Sequence, residues 1–303
     1  MKQDYPKSGI GLLCRLFGKT RHAYYDSLWR KEYSLVREDV ILQEVIALRN
    51  DLPRVGTRKL HYLLRSTLES HSIKIGRDYL FDLLSEHKLL VRQRKRKAVT
   101  TDSRHWMRKY SNLIRNVSVT RPEQVWVSDI TYIRLVNQWG YLSLITDAYS
   151  RKIIGYCFRN DLMAEGCIEA LQMALKNRMY QEPIIHHSDR GSQYCSHQYV
   201  NLLHQNTIGI SMTENGDPYE NALAERVNGI IKTEFNLHSS QLGFEQTYKQ
   251  IERSIKAYNQ IRPHASCDYL TPNQAHLQSE NLKKRWKNYN KKFNYDKYAK
   301  ADV

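Results

Sequence analysis

Three acidic residues stand out by type and setting. Asp129 lies in the run Val125-Trp126-Val127-Ser128-Asp129-Ile130-Thr131-Tyr132-Ile133, where Val125, Val127, Asp129, Thr131 and Ile133 share one strand face by the period-two rule. A carboxylate in a row otherwise made for burial is costly unless something compensates it. A metal ion is one compensator; an Asp at a strand edge or bulge is the alternative. Asp189 closes Pro183-Ile184-Ile185-His186-His187-Ser188-Asp189, just before Gly191. That places it at the carboxyl end of a short apolar strand, where ligands collect in α/β sheets, although Asp before Arg-Gly is also a common turn. Glu225 belongs to a helix beginning near Asn221, with Leu223, Val227, Ile230 and Ile231 as its apolar stripe. Glu225 and Lys232 fall about 20° apart on the opposite side, about 10.5 Å apart along the axis. They are either an acid and a base lining one shared face or an ordinary surface pair.

Three carboxylates on separate elements suit two-metal phosphoryl transfer. Mg²⁺ takes oxygen ligands and leaves part of its shell to water and phosphate. Two such ions, about 4 Å apart, activate an attacking oxygen and stabilise a leaving one. Water as attacking oxygen would hydrolyse a phosphodiester and a free hydroxyl would transfer one, with no covalent protein intermediate. Lys232, and beside the acid Arg226, are placed to contact phosphate near the reacting strand.

The rest of the chain must position these groups. With 303 residues it has room for two or three compact units, and its 41% hydrophobic and 11% aromatic content is globular. Lys and Arg total 47 against 31 acids, a formal net charge of +16. Such a protein attracts polyanions, nucleic acid first among them; a ribosomal or membrane-surface protein has the same balance. No apolar run approaches the 18 or so residues of a membrane span, and the N-terminus lacks a secretory pattern. The five cysteines, Cys14, Cys157, Cys167, Cys195 and Cys267, form no Cys-x-x-Cys pair. That argues for a reducing compartment and against a cysteine zinc site.

Residues 1–35 read as a small helix-turn-helix-like unit. Two short helices are parted by Gly18-Lys19-Thr20, with Thr20 as N-cap of a helix carrying Arg21, a candidate DNA contact. Residues 36–91 read as a second, three-helix, winged-helix-like unit. Its third helix, around Tyr79, Leu80, Leu83 and Leu84 and introduced by Arg77, is the candidate for the major groove; a helical dimerisation module is the alternative. Residues 92–120 read as a basic linker. Eight basic residues and one acid lie between Arg92 and Lys109, and Arg94, Lys95, Arg96 and Lys97 are candidates for tracking phosphates. From Gln124 the period changes to that of an antiparallel meander over Gln124–Arg134, Gly140–Asp147 and Lys152–Arg159. Alternating helices and short strands follow, an α/β order ascribed here to residues 121–280. In the basic tail, 281–303, Leu282, Trp286, Tyr289 and Phe293 make one helical stripe, either closing a core or reaching DNA or a second protomer.

WVSDITYI, HHSDRGSQY and SMTENGDPYENALAERVNGIIKTEF together resemble the DDE transposases of the insertion-sequence-three family, relatives of retroviral integrases. The 35 residues between Asp189 and Glu225 match that family's spacing of second and third acids, and Lys232 its basic companion. The segment YNQIRPHASCDYLTP, with Tyr258, Asn259, Arg262, Pro263 and His264, looks like its closing motif. The resemblance spans almost the whole chain, with 36–91 similar to the family's helix-turn-helix module.

It implies an α/β ribonuclease-H-like catalytic domain preceded by all-α helix-turn-helix DNA-binding modules. It also implies two Mg²⁺ or Mn²⁺ ions held by Asp129, Asp189 and Glu225, and binding to terminal inverted repeats. The route it implies cuts one strand, joins it beside the other end, and inserts a circular intermediate. The partner is double-stranded DNA, transposon ends and target, held by a homodimer or larger assembly in the bacterial cytoplasm, at the nucleoid, with no membrane. No structural zinc is expected, because the His/Cys module of retroviral integrases is missing. Glu220 lies about 140° around the helix from Glu225 and should not share its face. Asp147 resembles another family feature and reads as a turn or strand residue, with a supporting role near the site as the alternative. His186 or His187 could face the site by alternation, or both are packed. A DNA-binding protein without catalysis and a plain nuclease of the same fold are the competing functions.

Overall fold

In the computed structural model the chain divides into two compact units, 1–95 and 96–303. The structure describes residues 5–91, 106–214, 221–237, 242–279 and 282–283. Arg94, Lys95, Arg96, Lys97, Glu220 and most of the tail stripe lie outside these residues.

The first unit is all helical among its described residues. Helix α1 (Ile10–Leu16) ends at Gly18, whose φ of 62° suits a residue without Cβ. Thr20 then caps α2 (Arg21–Asp51), its side chain accepting from the Ala23 N–H at 3.0 Å. Here the structure departs from the expected boundary at 35/36. Helix α2 runs unbroken for 31 residues, because no Gly or Pro interrupts it. Helices α3 (Thr57–Leu63) and α4 (Arg65–Ser70) follow almost end to end, then α5 (Arg77–Glu86). Ile41, Val45, Leu52, Leu60, Leu64, Leu68, Leu80 and Leu84 make the core, all at most 3% exposed. No strand occurs among residues 5–91, so the wing of a winged helix is not found there.

The second unit is built on a five-stranded sheet in the order β3-β2-β1-β4-β5. Strands β1 (Val125–Arg134), β2 (Trp139–Asp147) and β3 (Ile153–Arg159) form the antiparallel meander. Helix α6 (Ala164–Lys176) leads to β4 (Ile185–Ser188), parallel to β1. Helices α7 (Ser192–Cys195) and α8 (His197–Gln205) lead to β5 (Gly209–Met212), parallel to β4. Helices α9 (Ala222–Glu234), α10 (Phe244–Gln260) and α11 (Pro272–His276) complete it. This mixed sheet flanked by helices is the ribonuclease-H-like fold expected above.

Alternation along β1 assigns its two faces. Trp126 joins the larger core with Ala170 and Leu171 of α6 and Tyr199 and Leu203 of α8. Val125 and Val127 pack instead with Ala224 of α9. Asp129 shares their face and so looks toward α9. Contact between α6 and the sheet is close: a Cβ on Gly155 of β3 would lie 2.1 Å from the Ala170 carbonyl oxygen.

Residues 106–120, expected as linker, instead pack on the second unit. The Asn112 N–H donates to Glu214 and the Leu113 N–H to the Ser211 hydroxyl, both at 2.9 Å. Ile114, Val117 and Val119 cover the Val125–Val127 cluster. The basic run masked an apolar strap with a beat of about three residues.

A buried polar cluster closes the end of the sheet where β1 begins. Asp147 accepts from the Glu123 N–H at 2.8 Å and from the Ser150 N–H and hydroxyl at 2.8 and 2.6 Å. Glu123 accepts from the Met179 and Tyr180 N–H groups, and the His276 ring bridges Glu123 at 3.3 Å and Asp147 at 3.5 Å. Asp147 therefore ties together the turn, β1 and α11. Trp126, its partner across the ladder, stands three residues before Asp129.

Candidate active site

Strands β1 and β4 run parallel with Val127 opposite His187 as their last paired position, and Asp129 and Asp189 each follow two residues later. Burial, with the nearby Asp189 charge, pushes the Asp129 carboxyl up to about 7; the Asn228 amide and the Ile130 N–H pull the other way. Glu225 adds a smaller push in the same direction as Asp189, which brings the third acid within electrostatic reach. Asp189 sits in a tight turn, its Oδ1 accepting from the Gly191 N–H at 3.0 Å. A Cβ on Gly191 would lie 3.0 Å from that same oxygen, so glycine keeps the turn open.

Helix α9 presents a polar stripe to β1. Asn228 donates through Nδ2 to Oδ2 of Asp129 at 2.8 Å, and Asn221 donates to the Ser128 carbonyl at 3.1 Å. Asn221, Glu225, Asn228 and Lys232 follow at intervals of four, three and four, which keeps them on one helix face. Lys232 is partly buried; desolvation lowers its pKa, and Asp129 opposes that shift. Glu225 and Arg226 are exposed. The buried side of α9 reaches as far round as Asn228, 4% exposed, so Glu225 and Lys232 lie along the seam with β1 rather than opposite the core.

The two histidines beside Asp189 are packed. His186 is buried with its Nε2 2.7 Å from the Ser128 hydroxyl and 2.8 Å from that of Tyr199, and burial drops its pKa to about 3. His187 Nδ1 lies 2.8 Å from the Ser211 hydroxyl. Both hold β4 to its neighbours.

Among the described residues no three His, Cys, Asp or Glu side chains are gathered into a group that could hold a metal ion. The three acids expected to converge are therefore not gathered into a metal cage: the charges of Asp189 and Glu225 both act on Asp129, and Glu225 itself is exposed on α9. All five cysteines are buried and unpaired with one another. No helix among the described residues is long and apolar enough to cross a membrane.

The other expected DNA contacts divide. Arg21 is exposed at the start of α2. Arg77 pairs with Asp78 at 2.8 Å, and Asp82 and Glu86 are exposed on the same helix, so α5 carries one arginine against three acids. Helix α3 and its surroundings expose Arg58, Arg65 and Lys74 instead. Asn221 and Asn228 were missed in the sequence; the four-three-four spacing around Glu225 was the available signal.

The closing-motif residues brace this site from outside. Tyr258 donates to the Arg151 carbonyl at 3.0 Å, and the Asn259 side chain pairs with both backbone groups of Ile153 at 3.0 and 2.8 Å. Arg262, 2% exposed, grips Glu234 at the end of α9 with two 2.7 Å bonds.

Integrase core domain models match residues 119–218 and 206–272. The chain is 32% identical to the insertion element IS600 uncharacterized 31 kDa protein of Shigella sonnei, over 86% of this chain and 96% of that protein. It is 34% identical to transposase InsF for insertion sequence IS3A of Escherichia coli, over 53% of this chain and 56% of that transposase. Among solved structures, the magnesium complex of the HTLV-2 integrase catalytic core domain is 21% identical with a TM-score of 0.42, covering 52% of this chain and 97% of its own. A simian T-cell lymphotropic virus intasome is 18% identical with a TM-score of 0.46, covering 74% of this chain and 75% of its own.

Proposed function

Because this chain belongs to the insertion-sequence-three family of DDE transposases, we propose that it binds its element's terminal inverted repeats, cuts the 3′ ends and joins them to DNA, with Asp129, Asp189 and Glu225 as catalytic carboxylates. The observation that carries this reading is the pairing of Asp129 with Asp189 beneath the polar stripe of α9. Two carboxylates this close penalise each other's charge, and a divalent cation between them removes that penalty. The donor set is all oxygen, which suits Mg²⁺ or Mn²⁺. A pair of such ions, when bound, supplies charge compensation for the phosphate and eases ionisation of the attacking water or 3′-OH.

The chain's own groups do the rest. Asp129 and Asp189, on rigid strand ends, hold the cations, and Glu225 completes the set from α9. Lys232, further along the same seam, holds a phosphate of the reacting strand, with Arg226 nearby. The helical first unit reads the end sequence, through α3 and its basic surroundings as well as Arg21 and α5. Arg94, Lys95, Arg96 and Lys97 track phosphates of the bound DNA. Joining two ends calls for at least two protomers on DNA, at the nucleoid of the bacterial cytoplasm.

A strand-transfer assay with labelled terminal-repeat DNA and Mg²⁺ tests this. Cut and joined products are expected from the wild type. Asp129→Asn, Asp189→Asn and Glu225→Gln should each abolish both products and leave end binding nearly intact. Cutting without joining would point to a plain nuclease, and binding alone to a non-catalytic DNA-binding protein. A variant that cuts at near-normal rate removes its residue from the site.

A further inference from the structure

We infer that Asn228 is the positioning residue of this centre, its side-chain amide fixing the Asp129 carboxylate in the orientation that takes a divalent cation. This rests on the catalytic reading of Asp129 given above. Each Asp129 oxygen has one donor: Oδ2 takes the Asn228 amide at 2.8 Å, and Oδ1 takes the Ile130 N–H at 3.0 Å. The first donor comes from another element, so it sets the carboxylate plane relative to α9 and therefore to Glu225. Asn221 grips the preceding residue through the Ser128 carbonyl at 3.1 Å. Helix α9 is thus latched to β1 at consecutive residues, once on the backbone and once on the acid itself.

The chemistry of the amide fits this task. A neutral donor adds no charge beside a cation and does not itself titrate. It also carries a cost: Oδ1 of Asn228 is buried with no hydrogen-bond partner, as is Oδ1 of Asn221. A leucine of similar volume would escape that cost. The donor is what an apolar side chain could not supply. Partners that orient metal-binding side chains are typically worth tenfold to a hundredfold in metal affinity.

The test compares full-length wild type, Asn228→Leu, Asn228→Gln and Asp129→Asn. Mn²⁺ affinity is read by electron paramagnetic resonance, strand cutting is followed as Mn²⁺ is raised, and melting is recorded in EDTA. Asn228→Leu should weaken Mn²⁺ binding by about tenfold to a hundredfold. Cutting at saturating Mn²⁺ should fall only a few-fold, with melting in EDTA lowered by no more than the loss of one hydrogen bond. Asn228→Gln, which keeps a donor, should recover most of the affinity. If the leucine does not fit, Asn228→Ala removes the amide without adding bulk and is read the same way. Wild-type Mn²⁺ affinity in the amide-deleted variant, with affinity lost in Asp129→Asn, overturns the inference and leaves the catalytic reading standing. Undiminished affinity in Asp129→Asn overturns the metal reading and this inference with it.

Discussion

Asp129 and Asp189 each follow two residues after the last paired position of the parallel β1–β4 ladder, and the charge of Asp189 helps raise the Asp129 carboxyl to about 7. An unfolded aspartate titrates near 3.8. Between those values the folded protein binds more protons than the unfolded chain, so this group makes stability fall as pH rises. Asp129→Asn removes that dependence. In EDTA, melts of wild type and variant should coincide near pH 4. Near pH 8 the variant should be more stable by on the order of 2 kcal/mol, a figure discounted for partial exposure of the carboxyl. Equal melts at both pH values would mean that Asp129 is not a crowded carboxylate.

Lys232 projects from the same seam as Asn228 and is electrostatically coupled to Asp129. If it holds a phosphate, Lys232→Ala should reduce the salt slope of end binding by about one and weaken binding to different sequences alike. Crosslinking to the terminal nucleotides should drop while melting stays within a degree or two. An unchanged slope and crosslink would take Lys232 off the DNA.

How much of this was legible in the sequence depends on the range of the interaction. Strand alternation placed Asp129 with Val125 and Val127, because period two is a local property of β1. The 35-residue spacing pointed to Asp189 and Glu225. The amides of Asn221 and Asn228 escaped because an apolar-stripe reading counts Asn as solvent-facing, while here both are buried donors to β1. The contact between His276 and Glu123, 153 positions apart, leaves no periodic trace in a single chain. The boundary expected at 35/36 falls inside α2, which has no breaker residue there.

The buried His276 bridge between Glu123 and Asp147 predicts a stability optimum in pH. Burial opposes charge on both groups; the hydrogen bonds from His276, Met179 and Tyr180 and the His276 charge outweigh it at Glu123 and lower its pKa, while the hydrogen bonds to Asp147 and Glu123 and the Asp147 charge outweigh it at His276 and raise its pKa. The Glu123 contribution is present above the ordinary carboxyl range and is lost as pH falls through its lowered value. The His276 contribution is full below 6.5 and is lost as pH rises through the raised value. His276→Gln should flatten the alkaline side of a melting-temperature profile and cost about 3 kcal/mol near pH 6, the scale for breaking a buried pair. A variant that keeps the wild-type alkaline slope would show that the bridge is not charged.

Arg262 distinguishes charge from shape. Its guanidinium makes two parallel 2.7 Å bonds to Glu234 and a third 2.7 Å contact to His264, and it lies over the Tyr258 ring at 5.6 Å. A lysine keeps the charge but offers neither a planar fork nor a stacking face. If simple pairing held α9 in place, Arg262→Lys would be nearly silent and Arg262→Ala severe. Because the fork and the ring contact hold Glu234 together, Arg262→Lys should cost at least about 1.5 kcal/mol in urea unfolding, and Arg262→Ala about 3 to 5. Glu234 ends the helix that carries Glu225, Asn228 and Lys232, so the lysine variant should also slow strand cutting while leaving end binding unchanged. A lysine variant with wild-type unfolding midpoint and cutting rate would reduce this contact to a plain ion pair.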